Sequence, residues 1–355
     1  MNDIHRLRVH RVIAETDDAR SIEFEVPAEN PERFTYKPGQ FLTLRVPSDR
    51  TGSVARCYSL SSAPHEGGPL KVTVKRTADG YASNWLCDNA EAGMDVDVLV
   101  PAGIFTPKNA DADLLLFAGG SGITPVMSIL KSALAGGTVR VALVYANQDD
   151  KSVIFADELA ELARAHPDRL VVVHWLVSVQ GLPSVEMLTA LVAPWREREA
   201  FICGPGPFME AAQAVMTGLG AERRRVHVET FKSLPRPPFE IDLDVQKEAE
   251  DEAAAAADAS PADANPVALT VELDGQTKQF TWPRQQKLLD FLLAQGLAAP
   301  YSCREGACSA CACRIVAGEV KMLHNEVLEP EDIDEGIVLA CQSVPLTDDI
   351  SVSYE

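Results

Sequence analysis

Apolar and polar residues alternate in short runs between residues 4 and 103: HRLRVHRVI, SIEFEVP, QFLTLRVP, RCYSLSS, KVTVKR and DVDVLVP, each bounded by Pro, Gly, Asn or Asp. Period-two runs at this spacing predict a small antiparallel β-barrel. One helical stretch, YASNWLCDNA after Gly80, interrupts them. Beyond Pro107 the pattern changes: DLLLFAGG is a continuous apolar run ending in glycine, as a buried parallel strand does, and TPVMSILKSALAG then follows at helical spacing. The pairing recurs in VRVALVYAN with FADELAELARAH, LVVVHWLVS with SVEMLTALV, and AFICGPG with FMEAAQAVMTGL, before a last strand RVHVETF. Four alternations predict an α/β doubly wound parallel sheet with helices on both faces. From Ile241 to Pro266 periodicity vanishes into AEDEAAAAADASPADANP, which cannot bury a core and predicts a linker. ALTVELDGQTKQFTW then predicts a hairpin turning at Asp274 and Gly275, followed by the helix KLLDFLLAQGL and strands around LACQS and ISVSYE. The pattern divides the chain into a barrel (1–109), a doubly wound domain (110–238), an acidic Ala/Asp/Glu linker (239–265) and a small α+β, β-grasp-like domain (266–355).

Length agrees with this multidomain reading, since 355 residues exceed one ordinary core. The net charge of −20 is unevenly placed: residues 241–355 hold 22 Asp/Glu against 7 Lys/Arg, so the linker and the last domain carry most of it. Such a field repels nucleic acid and would steer a partner with a basic face toward the last domain. The first residues, MNDIHRLRVHRVIAE, lack the apolar core of a signal peptide, and no run approaches membrane-spanning length. A monomer in the reducing cytoplasm, without membrane or nucleic-acid contact, is the expectation. Free thiols at Cys57, Cys87, Cys203 and Cys313 suit that compartment.

Cys303, Cys308, Cys311 and Cys341 are spaced C-x4-C-x2-C with 29 residues before the fourth, the plant-type pattern for thiolates holding a [2Fe–2S] cluster. Small neighbours in YSCREGACSACAC let backbone N–H groups turn toward the sulfides. A structural zinc site, a disulfide and ordinary buried cysteines are the competing readings. Zinc sites usually present two short Cys/His knuckles, and here there is one. Cys313, two residues past Cys311, reads as a small apolar residue facing inward.

Arg56, Cys57, Tyr58 and Ser59 form R-x-Y-S at a strand end. A flavin requires an aromatic face, a hydroxyl near N5 and a cation for its pyrophosphate, and Tyr58, Ser59 and Arg56 offer these. VTVKR, with Val74 and Lys75, leads to Gly80, Ala82 and Ser83, where a helix N-terminus can hold a phosphate. AGGSGITP places Gly119, Gly120 and Gly122 at a strand-to-helix turn, where a pyrophosphate can approach closely. Gln148, Asp149 and Asp150 put an amide and two negative charges near the expected ribose, favouring NADH over NADPH, with Lys151 as the opposing charge.

R-x-Y-S, V-x-V-K-R and G-x-x-S together resemble the FAD-binding domain of the ferredoxin–NADP reductase superfamily. That resemblance implies FAD, with Arg56 and Ser83 at its pyrophosphate and Tyr58 and Ser59 at its ring; FMN is the alternative. GGSGITP and CGPGPFM resemble the nicotinamide-dinucleotide motifs of the same superfamily, implying roles for Gly204 and Pro205 and placing Thr124 and Cys203 near the flavin and nicotinamide rings. Glu229 and Phe231 in VHVETF are implied to lie over the flavin, Phe231 in the nicotinamide position. The order flavin domain, dinucleotide domain, plant-type ferredoxin is similar to reductase components of oxygenase systems. VARCYSLSSAP, YANQDDKSVIF and SCREGACSACAC resemble the 3-ketosteroid 9α-hydroxylase reductases, with phenylacetyl-CoA epoxidase reductases sharing the layout. The implied activity is an NADH-dependent reductase that splits a hydride into single electrons for a terminal Rieske-type oxygenase, docking through the acidic ferredoxin domain. A non-catalytic redox-sensing subunit is the reading from another class.

Overall fold

The computed structural model describes residues 4–49, 52–231, 266–273, 275–328 and 330–354. The expected linker and Asp274 of the expected hairpin turn lie outside them.

Six strands build the first domain: β1 (Ile4–Thr16), β2 (Ala19–Phe24), β3 (Phe41–Ser48), β4 (Gly52–Ser59), β5 (Leu70–Lys75) and β6 (Asp95–Ala102). They pair antiparallel in the order β4-β3-β6-β1-β2-β5, and a bridge from Leu60 to Val72 joins the two ends into a barrel. Alternation sends Leu7, Ile22, Leu42, Leu44, Val72, Val74 and Val98 inward. Helix α1 (Tyr81–Asn89) contributes Ala82 and Leu86 to that core.

In the second domain β7 (Leu114–Gly119), β8 (Val141–Asn147), β9 (Leu170–Leu176), β10 (Glu199–Cys203) and β11 (Val226–Glu229) form a wholly parallel sheet in the order β11-β10-β7-β8-β9. Helices α2 (Ile123–Ala135) and α3 (Ala156–Ala165) pack into one core of this domain. After the single turn α4 (Val177–Gln180), α5 (Val185–Val192) and α6 (Gly206–Gly218) pack into the other. Neighbouring strand residues divide between the two cores, which is why the strands read as continuous apolar runs.

The third domain pairs β12 (Val267–Leu273), β13 (Gln276–Trp282), β14 (Ala312–Ala317), β16 (Ile337–Leu339) and β18 (Asp349–Ser353) in the mixed order β13-β12-β18-β14-β16. β15 (Val320–Met322) and β17 (Ser343–Pro345) form a separate ribbon. α7 (Leu288–Ala294) buries Leu288, Leu289, Phe291 and Leu292, and α8 (Pro330–Asp334) is a short acidic turn. Among the described residues no helix is long and apolar enough to cross a membrane.

Candidate functional site

The four cysteines converge from two segments. Cys303, Cys308 and Cys311 lie on the loop between α7 and β14, and Cys341 on a turn that follows β16. Arg304, Gly306 and Ser309 adopt left-handed backbone, which turns amides inward. The Ala307 and Glu305 amides donate to Cys303 Sγ at 3.2 and 3.4 Å, the Cys303 amide to Cys308 Sγ at 3.2 Å, and the Cys341 amide to Cys311 Sγ at 3.4 Å. A Cβ at Gly306 would stand 2.8 Å from the His324 carbonyl oxygen, so only glycine closes this turn. Hydrogen bonds with the Cys308 and Cys341 side chains, then those amides, hold the Cys303 thiol far below its usual range, while the same side-chain bonds push Cys308 and Cys341 up. No three described His, Cys, Asp or Glu residues are grouped to hold a single metal ion. Four thiols in a nest of N–H donors are the donor set a sulfide-bridged cluster needs. Cys313 is buried and turns into the domain core, as expected.

Strand alternation divides the flavin motif between two faces. Tyr58 packs against the barrel core beside Trp85 and Cys87 of α1, with burial pushing its hydroxyl up and the Arg56 charge opposing that shift. The Arg56 guanidinium donates to the Ala55 carbonyl at 2.7 Å. Ser83 Oγ accepts from the Thr77 amide at 3.1 Å, and a Cβ on Gly80 would stand 2.9 Å from that oxygen. A guanidinium, an aromatic ring, hydroxyls and the N-terminal amides of α1 are therefore gathered where a flavin dinucleotide can lie. Val74 and Ala82 differ from the expectation: both side chains are in the barrel core, so only their backbones can face a cofactor. Lys75 pairs with Asp18 at 3.5 Å. Cys57 also departs from it, because its odd place in the alternation turns the thiol toward the third domain.

The two dinucleotide loops interlock. A Cβ on Gly122 would lie 2.2 Å from the Cys203 carbonyl oxygen, one on Gly119 would lie 2.7 Å from Pro205, and one on Gly204 would lie 2.9 Å from the Gly119 nitrogen. Gly120, at φ 51°, meets nothing within 4 Å and leaves open space at the amino end of α2, which suits a pyrophosphate. Thr124 Oγ1 donates to the Ser121 carbonyl at 3.1 Å. Cys203 is fully buried, its thiol pushed up by burial and then by the neighbouring Glu229. Asp149, expected near the ribose, lies just beyond β8 and caps a turn, accepting from the Ser152 amide at 3.0 Å.

The three domains meet over Glu229. Phe41, Cys57, Ser59, Glu229, Phe231, Ala307 and Cys308 line one small cavity, bringing residues of the flavin motif, the end of β11 and a cluster cysteine together. β11 stops at Glu229, so Phe231 lies beyond the strand and is 48% exposed. Burial raises the Glu229 carboxyl to about 8. A wider cleft of ≈ 210 Å³ opens beside this cavity, between Lys108, Arg223 and Arg224 on one side and Glu326, Glu331, Asp332 and Glu335 on the other.

Residues 6–106 match the oxidoreductase FAD-binding domain family, residues 116–214 the oxidoreductase NAD-binding domain family, and residues 271–346 the 2Fe-2S iron-sulfur cluster binding domain family. The chain is 57% identical over 355 residues, 98% of this chain and 95% of the other, to the ferredoxin reductase component of 3-ketosteroid-9-alpha-monooxygenase from Mycobacterium tuberculosis H37Rv. The chain belongs to this family of oxygenase ferredoxin reductases. To a component of the 1,2-phenylacetyl-CoA epoxidase of Escherichia coli K12 it is 31% identical, covering 100% of this chain and 99% of the other. Phthalate dioxygenase reductase shares the fold with a TM-score of 0.56 at 21% identity, over 99% of this chain and 98% of that one.

The reductase is therefore an NADH oxidoreductase with FAD, NAD and [2Fe–2S] domains. Two features of its site escaped the motif reading. One is the seat of the ferredoxin domain on the barrel, through Phe41, Thr43, Ala55, Cys57 and Leu99. Its signal was present in QFLTLRVP, whose outward positions Phe41 and Thr43 are less polar than a solvated face requires. The other is Lys131, a buried lysine whose partners are distant in sequence.

Proposed function

We propose that this reductase feeds single electrons from NADH to the terminal Rieske-type oxygenase of a 3-ketosteroid 9α-hydroxylase in the cytoplasm, as a monomer that docks through its acidic ferredoxin domain. The observation that carries the reading is the shared cavity, where Ser59, Glu229 and Phe231 stand against the cluster cysteine Cys308. Bound FAD supplies a two-electron acceptor for the hydride of NADH and a one-electron donor to the cluster. The chain's own groups do the rest. Arg56 and Ser83 hold the flavin pyrophosphate, and Tyr58 and Ser59 hold its ring. The Gly119–Gly122 turn, with Gly204 and Pro205, receives the NADH pyrophosphate, and Thr124 and Cys203 border the nicotinamide. Phe231, exposed and outside the strand, moves aside for the nicotinamide ring. Glu229 keeps its proton at neutral pH and can exchange it beside the reacting rings. The functional boundaries follow the sequence pattern: 1–109, 110–238, the linker 239–265 and 266–355.

The far higher identity to the steroid monooxygenase reductase favours that partner over a phenylacetyl-CoA epoxidase. Reconstitution of the holoprotein with each oxygenase, scoring product formed per NADH consumed, tests the choice. Tight coupling is expected with the steroid oxygenase, and coupling only with the epoxidase overturns the assignment. Cys341→Ser is expected to abolish cytochrome c reduction while NADH still reduces the flavin; cytochrome c reduction at the wild-type rate would remove the cluster from the path.

A further inference from the structure

Four side chains from four adjacent strands stand in one row on the outside of the barrel. Ile4 of β1 pairs with Leu99 of β6, Leu99 with Thr43 of β3, and Thr43 with Cys57 of β4. The outer face of a barrel strand normally meets water. Here Thr43 and Leu99 are each 1% exposed, because the ferredoxin domain covers the row. At its centre Thr43 Oγ1 shares a hydrogen bond of 2.9 Å with Ser302 Oγ, and Cys57 Sγ lies 3.5 Å from Thr43 Oγ1 and 3.7 Å from Ser302 Oγ. Ser302 is 1% exposed and directly precedes the ligand Cys303. Cys57 directly precedes Tyr58, which faces the opposite side of β4.

We propose that Ser302 is a positioning residue, seating the cluster loop on the outer face of β3 and β4 through Thr43 and Cys57. Strand β4 then carries Arg56 and Tyr58 on one face and, on the other, the cluster seat with Ser59 beside Cys308, so the seating of the loop sets the gap the electron crosses. Two buried hydroxyls satisfy each other only when the loop is seated in this register; any other register buries at least one of them unpaired. The apolar row supplies adhesion, and the hydroxyl pair supplies the register. The inference rests on the reading of the chain as a flavin-to-cluster reductase. In that step NADH is oxidised by two electrons, and each cluster reduction takes one.

The test uses the holoprotein with FAD and cluster bound, reduced by NADH in rapid mixing, following flavin absorbance and the cluster signal separately. Ser302→Ala and Thr43→Val are each expected to slow flavin-to-cluster transfer roughly three- to tenfold, the effect of one lost buried hydrogen bond on the seated population. The double variant should lose much less than the product of the two single losses, because both changes remove the same Thr43–Ser302 bond and differ only in their weaker contacts to Cys57. Ser302→Thr should restore the rate. Reduction of the flavin by NADH and the cluster's midpoint potential should stay at wild-type values, and amides of residues 41–48 should exchange faster in Ser302→Ala. Unchanged transfer in Ser302→Ala, additive losses in the double variant, or a slowing that follows a shifted cluster potential would each overturn the seat. If NADH leaves the wild-type cluster oxidised while reducing the flavin, the reductase reading itself falls.

Discussion

The barrel holds its two neighbours by different means. Against the dinucleotide domain, where Ala19 and Phe105 pack into the neighbour's core, it adds a charge network: Lys131 of α2, with a side chain 5% exposed, meets the Glu66 carboxylate at 2.9 Å and Glu158 of α3 at 3.1 Å, and Glu158 continues to Lys71 of β5 at 3.4 Å. Glu66 is further held by the Ala63 amide at 2.7 Å, and the Lys71 ammonium lies 5.3 Å from the Phe155 ring. Against the ferredoxin domain it uses Ala55, Leu99 and Phe41, with one hydroxyl pair and one ion pair, Lys108 to Glu335, at 2.5 Å where both side chains are about half exposed. Directional charge fixes an angle, and hydride transfer tolerates little misalignment. Apolar contact sets a distance, and moving an electron demands less of orientation than of separation.

Removing the buried cation is the heaviest blow to the charged interface. Lys131→Met leaves Glu66 and Glu158 facing each other, and burial already works to raise the Glu66 carboxyl before the Ala63 amide and Lys131 lower it. Both glutamates keep about a third of their side-chain surface in water, so the loss should be about 2 kcal/mol, below that of a fully buried pair. Tilting α2 tilts the glycine turn at its amino end, so kcat/KM for NADH should fall up to about 100-fold. A larger primary deuterium isotope effect from labelled NADH would accompany it, as hydride transfer becomes limiting. A drop in Tm with kinetics and isotope effect unchanged would reduce the quartet to a stabilising contact.

Ala55→Glu is the matching blow to the apolar seat. A carboxylate there would be buried without a partner, and the domain escapes that cost by lifting off the barrel. The loss is thus capped by the strength of the seat. Cluster reduction by NADH should fall at least tenfold, while flavin reduction, governed by the other interface, should hold. Equal losses in both steps would mean that the two interfaces are not separable.

Glu229 lies where both interfaces meet, and its effect is a matter of pH. Its carboxyl titrates at about 8 in the folded protein against an ordinary 4.5, with burial as the cause. The folded state therefore holds the proton more tightly than the unfolded chain, and stability declines as pH rises from about 4.5 to about 8. Glu229→Gln has nothing to titrate. Its Tm should gain on the wild type steadily across that window and level off above it, and parallel curves would show the carboxyl to be solvated.

Much of this was legible in advance. Period-two runs located all six barrel strands, and continuous apolar runs alternating with helical spacing located the parallel sheet, because both patterns report burial of one face or two. Cysteine spacing picked out four residues that the fold brings together from two segments, inside the part of the chain that matches a 2Fe-2S cluster binding domain, since chelation fixes spacing more tightly than packing does. What stayed hidden was pairing between domains. Thr43 and Ser302, or Lys131 and Glu66, are ordinary residues until the chain brings them together. Cys57 sits inside R-x-Y-S and so groups with the flavin by sequence, yet alternation along β4 hands it to the ferredoxin domain. Val74 and Ala82 group the same way, and both are core.

The smallest expected effect sharpens the comparison most. Lys108–Glu335 is the rim ion pair of the ferredoxin seat, and the Lys108 ammonium is the main cause holding the Glu335 carboxyl below its ordinary range. An exposed pair of this kind contributes about 0.2–1 kcal/mol and is screened by salt. Lys108→Ala should therefore slow flavin-to-cluster transfer less than about fivefold at low ionic strength, and the difference from wild type should vanish at high salt. If the wild-type rate itself collapsed at high salt, charge rather than the row of Ile4, Leu99, Thr43 and Cys57 would be holding the domain in place. The barrel's two faces would then differ in degree only.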